Sequence, residues 1–166
     1  TSKLSETWSE IVGIEQIEYQ QALERRKRIS NSLDSLTLKF MASPKNKNRN
    51  HGIPQNIKED NIFFQSEVNE KYLENKLFVI DWIGHTFFYQ AIYCSIPFII
   101  IFKRSWLDNF SSNFLELIKI LRKENLLYFT DEEEAFQMRI HDLYDKRKYN
   151  SEVFSSIRNY LSNKNV

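Results

Sequence analysis

The chain has 166 residues, of which 42% are hydrophobic and 27% charged, with a formal net charge of +1. This composition excludes a disordered chain, and the balanced charge implies no general electrostatic partner. With only three Gly and three Pro, the chain is a poor match for turn-rich sandwiches and barrels, and it has no G-x-G-x-x-G phosphate loop. The single Cys94 allows no disulfide within the chain and suits a reducing compartment.

The first part of the chain predicts a long leading helix. Apolar residues recur at helical spacing over residues 4–36, with polar residues between them. A basic run at residues 25–28 is typical of a solvated helix face, so we expect no nucleic-acid partner. A nucleic-acid patch formed by residues 25–28 and 45–49 stays the alternative.

Two short strands and a basic loop follow. Residues 36–42 alternate as in a strand, and a polar, basic loop runs over residues 45–54. Residues 61–65 predict a further strand and residues 67–75 a short helix.

The middle of the chain predicts a βαβ unit. Two apolar runs at residues 77–81 and 97–102 flank a helical segment at residues 85–94. Continuous apolar runs are typical of parallel strands that are buried on both faces. The alternative is a membrane span, because residues 82–102 contain no Asp, Glu, Lys or Arg. The polar residues inside this stretch favour the buried βαβ unit, and no transmembrane span is expected.

The last third alternates helix and strand again. A helix is predicted around residues 114–121, a strand at 126–129 and a helix at 151–162. Thr130 followed by Glu133 predicts a capping box at the start of another helix. The whole pattern predicts one α/β domain over residues 1–166, with four to five short parallel strands and helices on both faces of the sheet. Its parts are a leading helix (1–35), a sheet core (36–130) and C-terminal helices (131–166).

The loop after the 77–81 strand is the first candidate site. In open parallel sheets, ligands bind beyond the carboxyl ends of the strands. Here Asp81 is followed by Gly84, His85 and Thr86 at the start of a helix, and the free amides at a helix N-terminus can bind phosphate. The alternative is structural: Gly84 makes the turn, Thr86 caps the helix, and His85 has no contact with ligand.

Residues 77–102 resemble a family of transferases associated with bacterial surface-carbohydrate biosynthesis. The shared order is an apolar strand, an acid (Asp81), an aromatic residue, small residues with Thr86, and Ile96-Pro97 before a second apolar strand. Residues 114–130 and 50–52 extend the resemblance, which covers roughly residues 36–162. It is similar to the C-terminal, donor-binding half of enzymes with the GT-B glycosyltransferase fold. The family pattern differs at four positions, namely His85 for Thr, Gln90 for Glu, Asn125 for Gly and Tyr128 for His.

The resemblance implies a Rossmann-like domain that binds a nucleotide-sugar or nucleoside diphosphate donor. It implies that Gly84, His85 and Thr86 contact phosphate, that Gln90 contacts the ribose and that Asp81 orders the loop or contacts the sugar. Added positive charge would come from the preceding strand and loop, at Lys39, Lys45, Arg49 and His51.

The resemblance also implies how such a domain would work. The donor is a substrate, and neither a metal nor another cofactor is expected. The acceptor would be a carbohydrate or a lipid-linked molecule, and the protein would be cytoplasmic, at the inner face of the membrane. The acceptor-binding half would be an upstream domain missing from this chain, so no catalytic residue is assigned. The alternative is a degenerate, non-catalytic Rossmann-like domain that serves assembly or partner binding.

Overall fold

The computed structural model describes residues 14–33, 40–42, 62–64, 77–81, 86–146 and 151–164. The chain divides into two compact units, Thr1–Ser66 and Glu67–Val166. The described helices are α1 (Ile14–Ser32), α2 (Thr86–Tyr93), α3 (Ser112–Lys123), α4 (Glu133–Lys146) and α5 (Ser151–Lys164). The described strands are β1 (Phe40–Ala42), β2 (Ile62–Phe64), β3 (Phe78–Ile80), β4 (Phe98–Phe102) and β5 (Leu127–Phe129).

The first unit contains α1, β1 and β2. Helix α1 lies within the predicted 4–36 helix and is followed by a turn at Leu33, which is fully buried. Strands β1 and β2 lie within the two predicted strands and pair in parallel, with Phe40 opposite Ile62. The helix predicted over 67–75 lies outside the described residues.

The second unit contains a parallel sheet of three strands in the order β3-β4-β5. Ile80 lies opposite Ile100, and Ile100 lies opposite Leu127. The parallel pairing of β3 and β4 around α2 confirms the predicted βαβ unit. The described strands form this three-stranded sheet and a two-stranded sheet of β1 and β2.

Helices flank this sheet on both faces. Phe98, Ile100 and Phe102 of β4 belong to the main hydrophobic cluster, together with buried residues of α2, α3 and α5. The alternate residues Ile99 and Ile101 are also fully buried, but they lie outside that cluster. Helix α4 packs against β4 and β5 on the face of the sheet to which Ile99 and Ile101 belong. All five residues of β4 are therefore buried, as expected for a central parallel strand.

Two helices end in the same left-handed turn before the next strand. Asn125 after α3 has φ 55° and Ser95 after α2 has φ 56°. In each turn the next amide reaches back to the last helical turn, from Leu126 to the Leu121 carbonyl and from Ile96 to the Ala91 carbonyl. These are Schellman motifs. Asn125, which stands where the resembled family has Gly, adopts the left-handed conformation that Asn tolerates best after Gly.

Within the apolar stretch from residue 82 to residue 102, the described residues include helix α2 and strand β4. None of the helices in the described part of the chain is long and apolar enough to cross a membrane.

A candidate site at the carboxyl edge of the sheet

The carboxyl ends of β3, β4 and β5 meet at one edge of the sheet because the strands are parallel. Charged residues follow each strand there. Asp81 comes directly after β3, Lys103 and Arg104 come after β4, and a 3-10 turn over Thr130–Glu132 comes after β5. This edge is where open parallel sheets bind ligands.

The β3 side of the edge contains three of the predicted site residues. Asp81 is half-buried immediately after the strand, Thr86 is the first residue of α2, and Gln90 is half-buried one turn further along that helix. The first turn of α2 contains no acidic residue. The other predicted site residues lie outside the described residues: Gly84, His85, Lys39, Lys45, Arg49 and His51.

The β5 side is held together by Glu132. Its Oε2 accepts a hydrogen bond from the Phe129 amide at 2.8 Å, and its Oε1 accepts one from Nη2 of Arg122 at 2.9 Å. Nη1 of Arg122 also donates to Glu132 Oε2 and, at 3.3 Å, to the Leu127 carbonyl. Glu132 thus joins Arg122, near the end of α3, to the Phe129 amide at the end of β5, and Arg122 itself contacts Leu127 at the start of that strand.

These contacts change the acidity of Glu132. The hydrogen bond from Arg122 lowers the pKa of the Glu132 carboxyl below its usual value of 4.5, and burial opposes this shift. The hydrogen bond from the Phe129 amide and the charges of Arg122 and Arg104 lower it further. Glu132 is therefore ionised at neutral pH.

Arg104 forms a second, more exposed ion pair at the same edge. Its Nε and Nη2 atoms donate to Asp131, with distances of 3.0 to 3.2 Å to the carboxylate oxygens. Half of the Arg104 side chain and 61% of the Asp131 side chain are exposed. Oε1 of Glu132 lies 3.8 Å from Nη2 of Arg104. The two ion pairs therefore touch each other.

The ring of Phe129 supports both guanidinium groups. The central carbon of Arg104 lies 4.0 Å from the ring centroid and that of Arg122 lies 4.7 Å from it. Phe129 is itself buried and contacts Phe102 of β4, with ring centroids 5.4 Å apart. Cation–π contacts of this kind orient guanidinium groups as well as attracting them. Two cations of the edge are thus stacked on a ring that belongs to the apolar core.

Tyr128, at the position where the resembled family has His, lies on the other face of the sheet. Its ring contacts Phe136 of α4 edge-on, with centroids 6.0 Å apart. Burial raises the pKa of the Tyr128 hydroxyl, while the charges of Arg139 and Arg122 oppose the rise. Tyr128 is therefore protonated at neutral pH and packs as part of the α4 interface.

The capping box predicted from Thr130 and Glu133 is wrong by one residue. Phe129 occupies the N-cap position, and it is Glu132 that reaches back to the Phe129 amide. The 3-10 turn over Thr130–Glu132 precedes α4, so the helix begins later than the sequence pattern suggested.

Sequence reasoning also missed Arg104, Arg122, Asp131 and Glu132 as residues of the edge. Arg104 and Asp131 are separated by 27 positions, and Arg122 and Glu132 by 10. Local periodicity does not reveal such pairs. The available signal was the place of the charges directly after predicted strands, combined with the rule that parallel strands end at one edge.

Among the described residues, no group of three or more His, Cys, Asp or Glu side chains lies close enough together to hold a metal ion. Comparisons with protein-family models, with curated proteins and with solved structures each give no significant match.

Proposed function

We propose that the chain binds a nucleoside diphosphate or nucleotide-sugar donor at the carboxyl edge of the three-stranded sheet. In this proposal it is the donor-binding, Rossmann-like domain of a glycosyltransferase-like protein of surface-polysaccharide biosynthesis. A sheet of four to five strands, a long leading helix and a cytoplasmic location belong to the same proposal.

The observation that carries the proposal is the junction between β3 and α2. A parallel strand ends at Asp81, and a helix with no acid in its first turn begins at Thr86. Free amides and the positive end of the helix dipole favour an anion at such a place. The equivalent junction before α4 differs, because Asp131 and Glu132 follow β5 and Glu133 and Glu134 open the helix.

The proposed roles follow the order of the chain. Gly84, His85 and Thr86 contact phosphate, Gln90 contacts the ribose, and Asp81 orders the loop or contacts the sugar. A carbohydrate or lipid-linked acceptor would be bound by a separate domain.

A second candidate is a non-catalytic domain that serves assembly or partner binding. The charge balance of the β4–β5 side favours it, because Arg104 faces Asp131 and Arg122 faces Glu132. Gln90 favours it too, since an amide holds a ribose hydroxyl less strongly than a carboxylate does.

Ligand-dependent melting separates the two candidates. The wild-type chain is titrated with UDP, CDP and their sugar conjugates. At about 100 times its dissociation constant a ligand stabilises the folded chain by about 2.7 kcal/mol, which raises the melting temperature measurably. We expect this rise with at least one nucleoside diphosphate and a smaller rise for Thr86→Ala. Ser155→Ala is the matched control, since it removes a hydroxyl from an exposed position of α5.

The outcomes distinguish donor binding from a non-catalytic assembly domain. No rise with any nucleotide at millimolar concentration would contradict donor binding and leave the assembly domain as the better account. A full rise in Thr86→Ala, equal to that in Ser155→Ala, would show that the nucleotide binds away from the start of α2.

A further inference from the structure

We propose that Arg104 binds a phosphate group of the donor and that Asp131 is an internal anion which occupies Arg104 until the ligand displaces it. This inference rests on the proposed function and adds a residue to its site. It is carried by the geometry of Arg104, Asp131 and Phe129 at the carboxyl edge.

The guanidinium of Arg104 has a second contact that does not involve Asp131. It lies 4.0 Å from the centroid of Phe129, whose ring is anchored in the hydrophobic cluster. Arg104 follows the central strand β4, which is fully buried. This ring contact restrains the half-exposed Arg104 side chain, and the restraint lowers the cost of ordering the side chain when it binds a ligand.

Asp131 fills the position that a phosphate would take. Its two oxygens lie 3.0 to 3.2 Å from Nε and Nη2 of Arg104, which is the forked arrangement that arginine also forms with phosphate. The Asp131 side chain is 61% exposed, and exposed ion pairs contribute little to stability. Asp131 can therefore be displaced by rotation of its side chain into solvent.

Arg122 is not an equivalent binding group. It is tied to both oxygens of Glu132 and to the Leu127 carbonyl, and Glu132 is held by the Phe129 amide as well. Displacing Glu132 would break its hydrogen bond from the Phe129 amide as well as its two hydrogen bonds from Arg122. Among the described residues, Glu132 is a second acid close to Arg104, at 3.8 Å, so the bound phosphate would share Arg104 with this carboxylate. Of Arg104 and Arg122, Arg104 is therefore the arginine whose carboxylate partner a phosphate can replace.

The test measures affinity by isothermal titration with UDP, CDP and inorganic pyrophosphate. Asp131→Asn removes the competing charge, and we expect binding about two- to fivefold tighter. Arg104→Lys keeps the charge but loses the fork, and we expect binding about tenfold weaker. Glu116→Gln is the control, since Glu116 is an exposed acid paired with Lys119 on α3; we expect it to bind like wild type.

Each result decides the inference. Tighter binding by Asp131→Asn but not by Glu116→Gln supports it, even if the wild type binds too weakly to measure. Wild-type binding that Asp131→Asn and Arg104→Lys leave unchanged overturns the role of Arg104 while the proposed function stands. Absence of binding in the wild type and in every variant overturns both.

Discussion

The connections β3–α2 and β5–α4 leave the same edge of one sheet, yet they are built in opposite ways. The connection after β5 carries Asp131 and Glu132 and leads into a helix that opens with Glu133 and Glu134. Its first carboxylates are engaged with Arg104, with Arg122 and with the Phe129 amide. In sequence, the connection after β3 contains one acid, Asp81, and α2 opens with no acid in its first turn.

This difference indicates how one fold can reserve a place for an anion. A helix N-terminus attracts negative charge, and the protein can supply that charge itself or leave the position to a ligand. At the start of α4, the chain's own acids supply the negative charge. The first turn of α2 contains no acid, and we therefore place the phosphate of the donor there. The following predictions change one connection at a time.

The largest effect is expected from Glu132→Gln at the β5 connection. The variant weakens the hydrogen bonds to Arg122 and Phe129 and leaves a half-buried guanidinium without its counter-charge. We expect the free energy of unfolding to fall by about 2 kcal/mol. Urea denaturation measures this against Glu116→Gln, whose exposed pair with Lys119 contributes less than about 0.5 kcal/mol. Equal losses in the two variants would show that the β5 connection is not held by Glu132.

The lowered pKa of Glu132 predicts that the difference in stability between wild type and Glu132→Gln depends on pH. The pKa of Glu132 is lowered in the folded chain, so on acidification the unfolded chain takes up the proton first. The stabilisation is complete above the ordinary pKa of 4.5 and is lost as the pH falls from there through the folded-state value. We expect wild type to exceed Glu132→Gln in stability at about pH 7 and to approach it at about pH 3. A constant difference over this range would contradict the assignment.

The smallest effect on stability is expected from Thr86→Asp, which makes the α2 connection resemble the α4 connection. An acid in the first turn should stabilise the chain by about 0.3 to 1 kcal/mol relative to Thr86→Asn, the uncharged control. The same charge should weaken binding of UDP or CDP, because it occupies the place of the phosphate. Thermal melting with and without nucleotide measures both effects. Unweakened binding in Thr86→Asp would remove the contrast between the two connections.

Much of the second unit could be predicted from the sequence. The segments of β3, α2, β4, α3, β5 and α5 each carry their own periodic or apolar pattern, and the parallel βαβ unit follows from two buried strands around a helix. Asn125 could be placed in a left-handed turn because Asn tolerates that conformation best after Gly. Ser95 adopts the same φ without such a signal, since its turn is fixed by the helix end and by Arg158, which donates to its Oγ at 2.7 Å.

The ion pairs of the edge could not be predicted in the same way. Arg104 and Asp131 come together only because β4 and β5 are adjacent and parallel, and the sequence does not give strand order. The capping box was predicted one residue too late because Thr130 and Glu133 fit the local motif. In the structure the capping carboxylate is Glu132, and its contact with Arg122 depends on the packing of α3 against β5. Local sequence patterns therefore predicted the helices and strands, whereas tertiary packing determines which charged residues form ion pairs.

The most direct measurement is a titration of the uniformly ¹⁵N-labelled chain with UDP and CDP, followed by NMR. The account predicts that the largest shifts fall on the amides of residues 84–87 and on Nε–H of Arg104, with smaller shifts at Asp131 as it leaves the guanidinium. Shifts confined to other parts of the chain, or none at millimolar nucleotide, would contradict donor binding at this edge.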